Sequence, residues 1–64
     1  MGAVESGRQI RVLIVDDHPV FREGLRHILE SEPRIEVVAE ADTGELGLRE
    51  ARRHRPDVVI LDVN

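Results

Sequence analysis

The stretch IRVLIVDD (residues 10–17) decides the fold, because it joins a short apolar run to two adjacent carboxylates. Its apolar part, residues 10–15, is rich in β-branched side chains and alternates little with polar ones. This pattern is typical of a strand that is covered on both faces. The stretch therefore predicts a buried strand that ends at Asp16 and Asp17.

The segment that follows predicts an amphipathic helix over about residues 19–30. Pro19 suits the first helical turn, where its missing N–H costs nothing, and Asp17 or His18 can cap that end. Pro33 prevents the helix from continuing. The apolar side chains recur at the spacing of one helical face, and we expect them to be core residues: Phe21, Leu25, Ile28 and Leu29.

A second strand and a second helix come next in the sequence. IEVVAEA (residues 35–41) is rich in strand-forming residues and predicts the strand. DTGELGLREARRHR (residues 42–55) predicts the helix, with Asp42 or Thr43 as its cap. Glu45 stands three residues after Asp42, which is the spacing of a capping box.

Two glycines on the apolar face of the second helix, Gly44 and Gly47, each cost roughly 1 kcal/mol of helix stability relative to alanine. That cost suggests that the backbone of this helix lies close against the sheet. Pro56 ends the helix, and DVVIL (residues 57–61) predicts a third strand.

The order strand, helix, strand, helix, strand predicts an α/β fold with a parallel sheet and right-handed crossovers. In such a sheet the carboxyl ends of all strands lie at the same end of the sheet, and in open α/β folds this end holds the functional site. The first strand brings Asp16 and Asp17 to this end of the sheet, and the third strand brings Asp62. Carboxylates that meet there repel one another or recruit a cation, and Mg²⁺ prefers such oxygen ligands.

Composition limits the remaining classes of function. The 64 residues are enough for one small domain, and the absence of cysteine excludes disulfides and thiolate metal sites. A net charge of −4 argues against a nucleic-acid-binding surface in this segment. No apolar run approaches the roughly 20 residues of a membrane helix, and the start lacks a secretory signal. We expect a cytoplasmic protein with a disordered lead over residues 1–9 and one folded unit over residues 10–64.

Three motifs carry a resemblance to a known family: VLIVDDHPVFREGL, then EADTGELGL, then RPDVVILDVN. In this order they resemble the N-terminal half of a response-regulator receiver domain, most like those of the LuxR-type two-component transcription factors. The resemblance spans residues 10–64 and implies a βαβαβ half of a flavodoxin-like fold, with three parallel strands in the order 2-1-3. Because receiver domains have about twice this length, it also implies a truncated domain, that is, a fragment.

The family resemblance implies a phosphorelay function. Asp62 would accept a phosphoryl group from a histidine kinase, and Mg²⁺ would be bound by Asp16, Asp17, Asp62 and the backbone carbonyl of Asn64. In the full-length parent, phosphorylation would regulate transcription through a separate C-terminal DNA-binding domain. Since the later strands that contact the phosphoryl group are missing from this chain, we expect weak or no Mg²⁺ binding and poor phosphorylation.

We expect a phosphoacceptor regulatory domain and not an enzyme. Haloacid-dehalogenase phosphatases also place a nucleophilic aspartate after an apolar strand, but their motif needs a second acid at the position of Asn64. His18 is interpreted as a loop residue at the start of the first helix, because the same His-Pro pair occurs there in LuxR-type receivers, and not as a phosphoacceptor or metal ligand.

The alternative hypothesis is a self-associating half-domain without phosphotransfer activity. The third strand would lie at a bare, apolar sheet edge, and such an edge is a template for pairing with another chain. Two copies could pair through residues 57–63 around a two-fold axis, or exchange elements, and so bury this edge. This hypothesis predicts a homodimer or a higher oligomer.

Overall fold

The computed structural model describes residues 8–62, which form a three-stranded parallel sheet and two helices. The elements are β1 (Ile10–Asp16), α1 (Pro19–Glu30), β2 (Ile35–Ala41), α2 (Gly44–His54) and β3 (Val58–Asp62). The strand order is β2-β1-β3, which confirms the predicted α/β class and the order 2-1-3. Most of the predicted lead, residues 1–7, lies outside the described residues. Within residues 8–62 neither helix is long and apolar enough to cross a membrane.

The core is centred on β1, the middle strand of the sheet. Val12, Leu13, Ile14 and Val15 are almost fully buried, as the unbroken apolar run predicts. The chain runs from β1 to β2 on one side of β1 and then to β3 on the other side. Because such crossovers are right-handed, the two helices cover opposite faces of β1. Burial on both faces holds β1 in place and thereby fixes the position of its acidic end.

The apolar face of α1 is less buried than the sequence predicts. Phe21 is 54% exposed and Ile28 is 69% exposed, whereas Leu25 and Leu29 are partly covered. The prediction that all four are core residues is therefore wrong for Phe21 and Ile28. Among the described residues α1 packs against β1 and β2, and this narrow sheet covers only part of an apolar stripe that spans about 100° of the helix.

The start of α2 is capped by Thr43, one of the two predicted residues. Its Oγ1 accepts a hydrogen bond from the backbone N–H of Leu46 at 3.1 Å. The third helical residue is therefore Leu46, so Glu45 does not occupy the position that a capping box requires. The capping-box prediction is wrong, because it took Asp42 as the cap.

The register of β1 against β3 is held at the end of the sheet opposite the acidic residues. The backbone N–H of Asp57 donates to the carbonyl of Arg11 at 2.8 Å, and the N–H of Arg11 donates to Oδ2 of Asp57 at 2.9 Å. The Arg11 guanidinium also donates to the carbonyls of His54 and Arg55, at 2.5 and 3.2 Å. These bonds hold β3 beside β1. Asp62 is the last residue of β3, which ends one residue later than the sequence predicts.

Candidate functional site

Asp16 ends β1 as a buried carboxylate with only 1% of its surface exposed. Its Oδ1 accepts a hydrogen bond from the backbone N–H of His18 at 2.6 Å. His18 is the N-cap residue of α1, and its own side chain makes no capping hydrogen bond. Its Oδ2 has no hydrogen-bond partner among residues 8–62. Because a buried carboxylate oxygen without a partner is unfavourable, this atom is suited to a bound cation or water.

Asp17 and His18 lie beside Asp16 at the surface. The Nδ1 atom of His18 is 2.8 Å from Oδ1 of Asp17 and 3.5 Å from Oδ1 of Asp16. One potential ligand atom from each of the three residues lies within 4.8 Å of the others. The sequence interpretation placed His18 correctly at the helix start, but its side chain makes no capping hydrogen bond there. The position of His18 directly after two aspartates was the sequence signal for including it in this group of potential ligand atoms.

Asp62 is the register partner of Asp16 in the β1–β3 pair. Directly paired residues of neighbouring strands project to the same face of a sheet, so the side chain of Asp62 emerges next to that of Asp16. Asp62 is exposed, and it is not a member of the close group that Asp16 forms with Asp17 and His18. Asn64, the predicted source of a backbone carbonyl ligand, lies outside the described residues.

The described donors fit a hard divalent cation. Asp16, Asp17 and Asp62 present carboxylate oxygens at one end of the sheet, and Oδ2 of Asp16 is already desolvated without a partner in residues 8–62. Oxygen donors of this kind suit Mg²⁺, which usually binds one or two carboxylates and keeps several waters. An exposed carboxylate next to such a cation can act as a nucleophile toward a phosphorylated donor.

The family model described as the response regulator receiver domain matches residues 12–64. The chain therefore belongs to the response regulator receiver domain family, which confirms the resemblance drawn from the three motifs. It is also similar to a solved structure of the signal receiver domain of NarL from Mycobacterium tuberculosis. That comparison has a TM-score of 0.84 and 44% sequence identity, and it covers 86% of this chain and 44% of the other.

Two kinds of curated relative match the same segment. Over 55 residues the chain is 56% identical to protein-glutamate methylesterase/protein-glutamine glutaminase 1 of Syntrophus aciditrophicus, covering 86% of this chain and 16% of the relative. Over 56 residues it is 43% identical to the transcriptional regulatory protein DegU of Brevibacillus brevis, covering 88% of this chain and 24% of the relative. The chain thus spans a quarter or less of the length of these two relatives.

The prediction that the chain is not an enzyme is contradicted by these comparisons. Four relatives, at 49 to 56% identity, have the name protein-glutamate methylesterase/protein-glutamine glutaminase, which denotes an enzyme. The physical reason is that the receiver motifs describe an acidic site at a sheet edge. They contain no information about the catalytic or DNA-binding domain to which such a site is joined.

Proposed function

We propose that this chain is the phosphoacceptor segment of a two-component response regulator. In this proposal the chain acts in the cytoplasm, and Asp62 accepts a phosphoryl group from the phosphohistidine of a histidine kinase. The observation that carries the proposal is the pairing of Asp62 with Asp16, whose buried Oδ2 has no hydrogen-bond partner among residues 8–62. This pairing sets an exposed nucleophile beside a desolvated oxygen that is suited to a cation.

The proposed reaction is an in-line displacement at phosphorus. A carboxylate oxygen of Asp62 forms the new O–P bond while the P–N bond of the phosphohistidine breaks, and the bonding electron pair stays on the imidazole nitrogen. Asp16, Asp17 and Asp62, with the backbone carbonyl of Asn64, would hold Mg²⁺. When bound, this ion supplies positive charge that neutralises the phosphoryl oxygens. Oδ1 of Asp16 is fixed by the His18 N–H, so the carboxylate is oriented before any ligand arrives.

We expect this reaction to be slow in the chain as it stands. The nine basic residues are all arginine, so no lysine ammonium is available to pair with the transferred phosphoryl group. Electrostatic stabilisation supplies much of the acceleration in phosphoryl transfer, and the loss of one such contact commonly costs about 100-fold or more. Weak Mg²⁺ binding is expected for the same site, because Asp17 and Asp62 are exposed to water and Mg²⁺ gives up its own waters reluctantly.

Incubation with acetyl phosphate and Mg²⁺, followed by intact mass measurement, tests the proposal. The expected result is a mass increase of one phosphoryl group that requires Mg²⁺ and is absent in Asp62→Asn. Asp42→Asn is the matched control, because Asp42 is an exposed aspartate that follows β2. Labelling that persists in Asp62→Asn would remove Asp62 from the reaction.

The output of the whole protein is a separate part of the proposal. Similarity to DegU supports transcriptional regulation, in which a C-terminal domain outside this chain binds DNA while this acidic segment does not. The 56% identity to the Syntrophus relative supports a methylesterase output as the second candidate. The reading frame of the gene distinguishes the two, because it encodes either a DNA-binding domain or an esterase domain.

Self-association through the β3 edge is a further candidate function of the isolated chain. Val59 and Leu61 are exposed, and together with residues of β1 and α2 they line an apolar cleft of about 300 Å³. An exposed apolar strand edge favours pairing with a second copy. Size-exclusion chromatography with light scattering tests this candidate, and a monomer at high concentration would exclude it.

A further inference from the structure

The side chain of Arg22 in α1 contacts the carboxyl ends of both β1 and β2. Its Nη1 donates to the carbonyl oxygen of Asp16 at 2.6 Å and lies 3.5 Å from the carbonyl oxygen of Ala41. Its Nε donates to Oε1 of Glu40 at 3.1 Å. The Arg22 side chain is only 19% exposed. This arginine is therefore a structural connection between the helix and the acidic end of the sheet.

The carbonyl of Asp16 belongs to the peptide group that links Asp16 to Asp17. Because a peptide group is planar, holding its oxygen also fixes the direction in which the chain enters Asp17. The Arg22 guanidinium is a rigid, planar fork, which makes it well suited to hold several acceptors at once. The contact therefore constrains both acidic residues without touching either carboxylate.

We propose that Arg22 is a positioning residue for the acidic pair Asp16–Asp17 and holds it in the geometry that a divalent cation requires. The inference rests on the proposed function, since it concerns the same cation site. Arg22 acts through the backbone of Asp16 and does not contact the reacting groups. Partners that orient metal ligands commonly contribute about 10- to 100-fold to metal affinity.

Charge alone predicts the opposite effect from positioning. A guanidinium near an acidic site repels a cation, so removal of Arg22 would strengthen cation binding if only Coulomb interactions mattered. If Arg22 positions the acidic pair, its removal weakens cation binding. The sign of the change in affinity therefore separates the two roles.

Arg26 provides a matched control one helical turn further along α1. Its Nε lies 3.2 Å from Oε2 of Glu40 but is not aligned to donate a hydrogen bond. Among residues 8–62 its side chain forms no hydrogen bond with the end of β1. Arg22→Gln and Arg26→Gln thus remove the same charge from the same helix and disturb the same glutamate, but only the first releases the carbonyl of Asp16.

The first experiment titrates the chain with Mn²⁺, used as a paramagnetic substitute for Mg²⁺, and follows the broadening of amide NMR signals. Arg22→Gln should weaken Mn²⁺ binding by about tenfold. Arg26→Gln should leave the affinity unchanged or slightly increased. Arg22→Lys should recover part of the affinity, because an ammonium can still donate to the Asp16 carbonyl. Mn²⁺ binding to Arg22→Gln that is as tight as binding to Arg26→Gln would overturn the inference.

The second experiment compares amide hydrogen exchange in the absence of any cation. Arg22→Gln should accelerate exchange at Asp17 and His18 several-fold relative to wild type, whereas Arg26→Gln should not. Equal exchange in the two variants would overturn the inference even if the cation affinities differ. A wild-type chain that shows no Mn²⁺ binding would contradict the proposed function, and hydrogen exchange would then still decide whether Arg22 positions the acidic pair. If Arg22→Gln does not fold, Arg22→Met replaces it in both measurements, because methionine keeps an unbranched apolar stem and removes every hydrogen-bond donor of the arginine side chain.

Discussion

Gly47 of α2 lies directly against Val15 of β1, and a Cβ atom on Gly47 would be 2.7 Å from Cγ2 of Val15. Real Cβ atoms essentially never come this close to another heavy atom. The backbone of α2 therefore approaches the sheet as the sequence predicts, but of its two glycines only Gly47 lies at the close contact. A Cβ on Gly44 would meet nothing within 4 Å, so the prediction of close approach there is wrong.

Gly47→Ala should destabilise the fold. The new methyl group would push α2 away from Val15, and such overpacking costs about 1–3 kcal/mol, of which the better helix propensity of alanine returns up to about 1 kcal/mol. Gly24→Ala in α1 is the matched control, because a Cβ there meets nothing within 4 Å, and it should stabilise by up to about 1 kcal/mol. Urea unfolding of both variants measures the difference. Equal midpoints would show that α2 does not lie this close to β1.

Asp16→Asn should stabilise the cation-free chain while removing its response to Mg²⁺. The buried Asp16 leaves Oδ2 without a partner in residues 8–62. Asparagine replaces this charged oxygen by a neutral NH₂ group, and an unpaired neutral group costs less to bury than a charged one, by about 1 kcal/mol. Oδ1 of the asparagine can still accept from the His18 N–H. For a chain of this size that gain raises the melting temperature by about 4–8 °C.

Thermal melts with EDTA and with increasing Mg²⁺ test the Asp16 prediction. A cation that binds only the folded state raises the melting temperature of the wild type, and this rise should be absent in Asp16→Asn. Asp42→Asn, an exposed control, should keep the response. A wild-type chain stabilised no more than Asp16→Asn by Mg²⁺ would remove Asp16 from the cation site.

Asp57→Ala should loosen the register between β1 and β3. The substitution removes the acceptor for the Arg11 N–H, at a cost of about 1 kcal/mol for this exposed hydrogen bond. Asp57→Asn keeps a side-chain oxygen as acceptor and should cost less. Hydrogen exchange at the Arg11 amide reports the bond directly, and it should accelerate in Asp57→Ala. Unchanged exchange in that variant would show that Asp57 does not hold the register.

Much of the fold could be predicted because its signals are local. Pro19 marks the start of α1, Pro33 and Pro56 separate helices from strands, and apolar periodicity distinguishes the two. The burial of α1 could not be predicted in this way, because periodicity identifies an apolar face without showing what covers it. Phe21 and Ile28 remain exposed for that reason.

The acidic site could be predicted only in part from the sequence. Asp16 and Asp17 follow from their position at the end of a buried strand. The placement of Asp62 beside Asp16 depends on the β1–β3 register, which contacts at the far end of the sheet maintain. The role of Arg22 depends on hydrogen bonds to the ends of two strands. Such long-range contacts leave no periodic signal in the sequence.

Leu61→Glu should shift the chain toward the monomer if the β3 edge pairs two copies. Leu61 is 63% exposed and lines the apolar cleft between α2 and β3, so a carboxylate there would be buried without a partner in the paired state. Ile28→Glu is the matched control, because Ile28 is similarly exposed but lies on α1. Light scattering over a concentration series should give a dissociation constant at least about tenfold higher for Leu61→Glu, which corresponds to about 1.4 kcal/mol. A shift of the same size in Ile28→Glu would place the association on α1, away from the edge of the sheet.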